Sequence, residues 1–379
     1  MMQRQRRRSR FPAFVRPPFA SAFAFACAFA LALPGAAGAG AGTGTGTGAP
    51  DGPLEARHLA VVINEGDPDS VTVGEYYQRR RGIPAANVVR VRIPGRPRAL
   101  DVVRFRLLKA HIDSRLGPEV QAVLMVWTAP YRVGCNAITG AYTLGYDAAL
   151  CRDTCRAGQP SSYFNAPGRR PLLEHGMRLS MLLPIESVEA ARALVDRGVA
   201  SGFHTPAAHA WYLDTLDAAR NVRAPFFPRP GQAAGGRVTI HRLRADALHN
   251  ASGVLVYQLG KAQVDGLDTV RFVPGALADH LTSHGGDLLG TTQMSSLRWL
   301  AAGATASYGT VSEPCNHWQK FPNPSVLLRH YLNGDSAIEA YWKSVAWPAQ
   351  GLFIGEPLAA PYQDRSRGPS RGNPRTPVP

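Results

Sequence analysis

Lysine is nearly absent from this chain of 379 residues. Lys109, Lys261, Lys320 and Lys343 are the whole set, so 38 of the 42 Lys and Arg side chains are arginine. Cysteine is sparse as well, at five, which excludes a small disulfide scaffold that holds together without a core. A hydrophobic share of 45% supplies a core and excludes wholesale disorder. No segment reaches the roughly 20 consecutive apolar residues that span a bilayer as a helix. Several motifs are missing: no Gly-x-Gly-x-x-Gly follows the first strand, and there is no Walker loop, no His-Glu-x-x-His and no Gly-x-Ser-x-Gly turn around Ser283. No nucleotide cofactor is therefore expected. No helix or ribbon interleaves basic and aromatic residues densely enough for nucleic acid, so none is expected as a partner despite a net charge of +15.

What is present begins with a leader. Arg4, Arg6, Arg7, Arg8, Arg10 and Arg16 precede an apolar stretch from about Phe19 to Leu33, and Pro34 and then Ala36, Ala37, Gly38 and Ala39 follow. Charge, apolar run and small residues in that order read as a secretory signal over residues 1–39. Residues 40–53, rich in Gly, Thr, Ala and Pro, read as a flexible linker, and 363–379 as a disordered tail. The leader holds six Arg and no acid, and the tail four Arg and one Asp, so +6 remains for everything between. Most of the charge anomaly thus points to export, with the mature chain in the periplasm or outside the cell and without a transmembrane segment.

The remaining 54–362 reads as a single α/β domain. A short β-branched run at 58–63 and further strand-like runs at 88–93, 121–127 and 177–183 alternate with helices at about 69–81, 101–115 and 187–197. The first of these helices is expected to be capped by Asp69 or Ser70 and closed by Gly82, the last to be closed by Gly198. Further strands are expected at 208–213, 237–243, 253–258, 269–273 and 304–311. A helix is expected over 294–302, another opening at Asn323-Pro324, and a capping box at Ser336 to Glu339 starts the last. This alternation implies a mostly parallel sheet with helices on both faces. Residues 131–175, with three cysteines and no periodicity, read as a long insertion.

Several blocks resemble an uncharacterised family of exported bacterial proteins: Val62-Ile63-Asn64-Glu65, Tyr76-Tyr77, Arg81 to Val88, Pro274 to Ser283, Gly303 to Gly309, Glu313-Pro314 and Gly355 to Leu358. That family occurs in genomes carrying exosortase, a proposed protein-sorting transpeptidase, and has no established reaction. More distantly, Gly303-Ala304 and Gly355-Glu356-Pro357 are similar to elements of the gingipain and caspase-like cysteine peptidases, which implies their α/β sandwich. Their catalytic pair is not matched: Leu259-Gly260-Lys261 follows one strand without a His, and Ala278 to Ser283 follows the next without a Cys.

Open α/β sheets bind ligands beyond the carboxyl ends of their strands. That rule gathers Gly260, His280, Thr282, Ser283 and His284, and then Glu313, Cys315 and His317. His280 and His284 would share a helix face, but without the Glu of a zincin helix no metal is expected. Glu313, Cys315 and His317 place acid, thiol and imidazole on one loop, and with Ser283 they are the candidate catalytic residues. A structural reading of the same loop is Cys315 in a disulfide and Glu313 holding backbone amides. Outside the leader, Cys135, Cys151, Cys155 and Cys315 allow two disulfides in three connectivities, with at least one bridge expected inside 131–175. A four-thiolate zinc site is the rival. Asp214, Asp217, Arg220 and Arg223 read as a polar turn after a strand. The leading functional reading is a non-catalytic envelope protein that binds a protein or polysaccharide partner. The alternative is a peptidase-like hydrolase, and polyanion binding rests on charge alone.

Overall fold

A computed structural model describes residues 52–202 and 207–363. The expectations for the leader, and for nearly all of the linker and tail, fall outside these residues. In chain order the elements are β1 (Leu59–Asn64), α1 (Pro68–Arg81), β2 (Val88–Val91), β3 (Ala99–Leu100), α2 (Val102–Asp113), β4 (Ala122–Val126), β5 (Arg132–Val133), β6 (Asn136–Ala137), α3 (Ile138–Leu144), α4 (Ala148–Arg152), α5 (Pro171–His175) and β7 (Leu179–Leu183). The second half holds α6 (Val188–Ala200), β8 (Ala208–Leu213), β9 (Gly231–Ala233), β10 (Val238–Leu243), β11 (Val254–Gly260), β12 (Phe272–Leu281), α7 (Leu297–Ala301), β13 (Ala306–Thr310), α8 (Pro324–Leu332), α9 (Ala337–Ser344) and β14 (Gly351–Gly355).

Eleven strands form one sheet in the order β2-β1-β4-β7-β14-β13-β12-β11-β8-β10-β9. Its pairings are parallel except β13 with β14 and β10 with β9. Every residue of β1, β4, β7, β11, β13 and β14 is buried, as expected for a sheet covered on both faces. Helices α1 and α6 pack on each other and reach β1, β4 and β12, while α3 and α9 pack on β7. The fold is thus the mostly parallel α/β architecture that the alternation implies.

Four local expectations are corrected. Helix α1 is capped by Asp67, whose side chain accepts from the Asp69 N–H, with Pro68 at the first helical position. Ser70 is instead buried, donating to the Val126 carbonyl at 2.5 Å and accepting from the Asn64 N–H at 2.8 Å. Gly198 does not close α6, which runs through it; the residue is glycine because the buried Glu356 lies against it. The segment 131–175 is built rather than irregular: β5 and β6 join β3 in a three-stranded sheet, and α3 is buried. The helix expected over 294–302 is confined to α7. Strand β14 was not anticipated; its five buried residues, paired antiparallel with β13 and parallel with β7, carry no alternation that would mark them.

The largest difference concerns β12. It starts near the expected place but continues through Pro274 and Gly275 (φ 86°) to Leu281. The β11 register jumps there, from Val254 opposite Phe272 to Val256 opposite Leu277. The missing Pro274 donor is absorbed by this irregularity, so proline interrupts the ladder without ending the strand. Asp279, His280 and Leu281 are therefore strand residues.

Candidate functional site

Because successive strand residues face opposite sides, Asp279 and His280 project into different layers. His280 is fully buried. The Trp299 indole N–H donates to its Nδ1 at 2.9 Å, so the remaining proton sits on Nε2, which donates to the Met294 carbonyl at 3.0 Å. Burial pulls the imidazole down to about 3, keeping it neutral. Both nitrogens are thus occupied, and the expected helical pairing of His280 with His284 does not exist. Thr282 and His284 instead fasten a loop: Gln293 Oε1 accepts from the Thr282 hydroxyl and the His284 N–H, each at 2.8 Å. Gly260 touches no ligand space, since a Cβ there would lie 1.9 Å from the Arg220 carbonyl oxygen.

On the other face Tyr212, Gln258 and Asp279 stand in register on β8, β11 and β12. Arg223, fully buried, donates from Nη1 to Asp279 Oδ1 at 2.5 Å and from Nη2 to the Leu259 carbonyl at 2.8 Å. Gln258 Nε2 donates to the second Asp279 oxygen at 2.7 Å. Arg223 is therefore not part of the polar turn read from sequence, which Asp217 and Arg220 close through a 2.8 Å ion pair. Three buried polar atoms at this centre, Tyr212 OH, Gln258 Oε1 and Arg223 Nε, have no hydrogen-bond partner among the described residues. Sequence reasoning missed the network; the one available signal was an aspartate inside the apolar run Ala276 to Leu281.

The loop after β13 carries the remaining candidates. Cys315 is bonded to Cys155, and Cys135 to Cys151. A bridged sulfur offers no thiolate, so Cys315 is not available as a nucleophile in this state. The zinc reading falls for the same reason. Glu313 Oε1 accepts from the Cys315 N–H at 2.8 Å, where Cys315 and Asn316 both adopt φ 57°. The His317 ring meets the Trp347 ring edge-on, with centroids 5.7 Å apart. Ser283 is half-buried; its carbonyl accepts from the Thr310 hydroxyl at 3.0 Å, and among the described residues no imidazole hydrogen-bonds its Oγ. The candidates therefore share one end of the sheet without forming a nucleophile–base pair.

A different feature lies at the β2 edge, five places along the sheet from β13. A groove of about 560 Å³ runs between the terminal strand β2, with its extension to Ile93, and helix α2. None of the candidates read from sequence lines it. Its signal was present in the alternation Arg90, Val91, Arg92, Ile93, which marks a strand with one charged and one apolar face.

No family model matches this chain, and no curated protein matches it. Among solved structures it is similar to the Arg-specific cysteine proteinase gingipain R, at 11% identity and a TM-score of 0.43, over 82% of this chain and 80% of that one. It is also similar to the complex of the pro- and mature domains of the same proteinase from Porphyromonas gingivalis, at 9% identity and a TM-score of 0.38, over 80% and 79% of the two chains.

Proposed function

We propose that this chain is an exported, non-catalytic binding protein of the cell envelope, a single domain over 54–362. It serves as an accessory to protein sorting or polysaccharide export, as its resemblance to a family from exosortase-bearing genomes implies. One observation carries the non-catalytic reading: the thiol, the buried imidazole and the buried carboxylate at the strand ends are engaged in structural bonds, and among the described residues no imidazole hydrogen-bonds Ser283 Oγ. Cys315 is bonded to Cys155, the His280 nitrogens are bonded to Trp299 and Met294, and Asp279 is clamped by Arg223. Nucleophilic catalysis requires an activated nucleophile within hydrogen-bond reach of a base. Two disulfides support export, because such bonds persist in oxidising compartments.

The test is turnover by the secreted mature chain on panels of peptide and ester substrates, combined with a free-thiol assay under denaturing conditions. The expected result is no free thiol and no turnover. Turnover abolished by Ser283→Ala or Cys315→Ala would establish the hydrolase alternative instead.

A further inference from the structure

The end strand of the sheet is shaped to receive one more strand. Val91 O accepts from the Glu65 N–H at 2.8 Å, and the backbone N–H and carbonyl of Ile93 bond the Asn64 side chain at 2.8 and 3.1 Å. Residues 91 and 93 therefore point their peptide groups toward β1. Backbone groups alternate edge by edge along a strand, so those of Arg90 and Arg92 point to the free edge. Among the described residues no backbone group pairs with them there. Helix α2 forms the facing wall with Arg104, Leu107, Leu108 and His111, which at spacings of three and four residues share one helix face. Leu107 and Val103, one turn apart, are each 67% exposed, and exposed apolar stripes beside a groove mark interaction surfaces.

Charge selects the occupant. Arg90 is shared with Glu65 and Glu75, and Arg104 with Asp101, while Arg92 has no carboxylate partner among the described residues. The chain's own ends are poor occupants, because residues 1–39 hold six Arg and no acid and residues 363–379 four Arg and one Asp. We propose that the groove binds an extended acidic segment of a partner protein, which adds to β2 as a parallel or antiparallel strand. Its apolar side chains lie against Val91, Ile93 and Leu107, and its carboxylates on the alternate positions meet Arg90 and Arg92. Main-chain hydrogen bonds would give such strand addition its affinity and the alternating side chains its specificity. This names a partner class for the binding reading and rests on it.

The experiment is fluorescence anisotropy with the mature protein and a fluorescein-labelled peptide of alternating glutamate and valine. Two controls are the same peptide with lysine for glutamate, and the acidic peptide N-methylated along one edge. Saturable binding of the acidic peptide is expected. Arg90→Glu and Arg92→Glu should each weaken it about tenfold, and the lysine and N-methylated peptides should bind at least about tenfold less well. Both arginines are exposed, so the reversals leave the core intact, and a circular dichroism spectrum checks this. Equal binding of the lysine peptide, indifference to both reversals, or no saturable binding would each overturn the inference. The last result would leave the arginines and Pro94 as guards of an unpaired edge. Failure with no turnover overturns the groove alone, whereas turnover lost in Ser283→Ala defeats the binding reading itself.

Discussion

Replacing Gly198 with alanine gives opposite signs depending on whether the helix or its neighbour is considered. Gly198 lies inside α6, and a glycine in a helix interior is about 1 kcal/mol less favourable than alanine, so propensity alone makes Gly198→Ala stabilising. The tertiary structure reverses this. A Cβ at 198 would stand 2.3 Å from Glu356 Oε2, 2.4 Å from its Cγ and 2.5 Å from its Cδ. Ordinary contact begins near 3.4 Å, so the carboxylate must retreat by about 1 Å. It has little freedom to do so. Glu356 is fully buried, paired through both oxygens with Arg81, and accepts from the Tyr77 hydroxyl at 2.6 Å and the Leu358 N–H at 3.3 Å.

Overpacking of this kind costs about 1–3 kcal/mol, and losing one hydrogen bond to a charged group about 1.5–3 kcal/mol more. After the propensity gain, Gly198→Ala should destabilise the fold by about 1.5–5 kcal/mol. In a Glu356→Ala background the obstruction is gone, and the same change should stabilise by about 1 kcal/mol. Guanidinium unfolding of the four proteins gives this coupling as a double-mutant cycle. Stabilisation by Gly198→Ala in the unaltered chain, or additivity of the two changes, would refute the argument.

The two disulfides close loops of 16 and 160 residues. In the chain-entropy view, Cys135→Ser should cost about 3 kcal/mol and Cys155→Ser about 5 kcal/mol; guanidinium midpoints in the reverse order would contradict it. The second variant also leaves Cys315 as a free thiol, which a thiol reagent counts. His280 is held neutral by burial with its folded value near 3, so between that value and its unfolded value near 6.5 the unfolded chain binds the extra proton. Stability on this account is fully present above pH 6.5 and falls as the pH drops toward 3. A His280→Asn variant, though less stable at neutral pH, should show a slope shallower by up to about 1.4 kcal/mol per pH unit in that window, and an unchanged slope would exclude His280 as its source. Removing one partner of the buried Arg223–Asp279 pair strands a charge, so Asp279→Ala should destabilise by about 3–5 kcal/mol. A chemical denaturation midpoint shifted by much less would mean that water reaches Arg223.

Legibility in the sequence followed the range of the forces involved. Strands β1, β4 and β11 announced themselves as apolar runs with β-branched residues, β7 as an apolar run and α2 as an amphipathic stretch, because these depend on neighbours a few residues away. Strand β14 did not, since its identity comes from β13 and β7, which lie distant in the chain. The candidate site suffered in the same way. Placing His280 after the strand, rather than in it, set it beside His284; the register jump at Pro274–Gly275 extends β12 and turns His280 toward Trp299. The acid that matters at that strand end, Asp279, finds its partner 56 residues earlier at Arg223, a separation no local pattern reports.

The sequence by itself determined the alternation of strands and helices, the leader-like N-terminus and the presence of four cysteines outside it, all properties of composition or of periods of two to four residues. The tertiary structure decided which cysteines meet, which residues of β12 face which layer, why position 198 is glycine, and where an unpaired edge faces a helix. Those depend on contacts between residues far apart in the chain, and such contacts exist only once the sheet has brought the segments together.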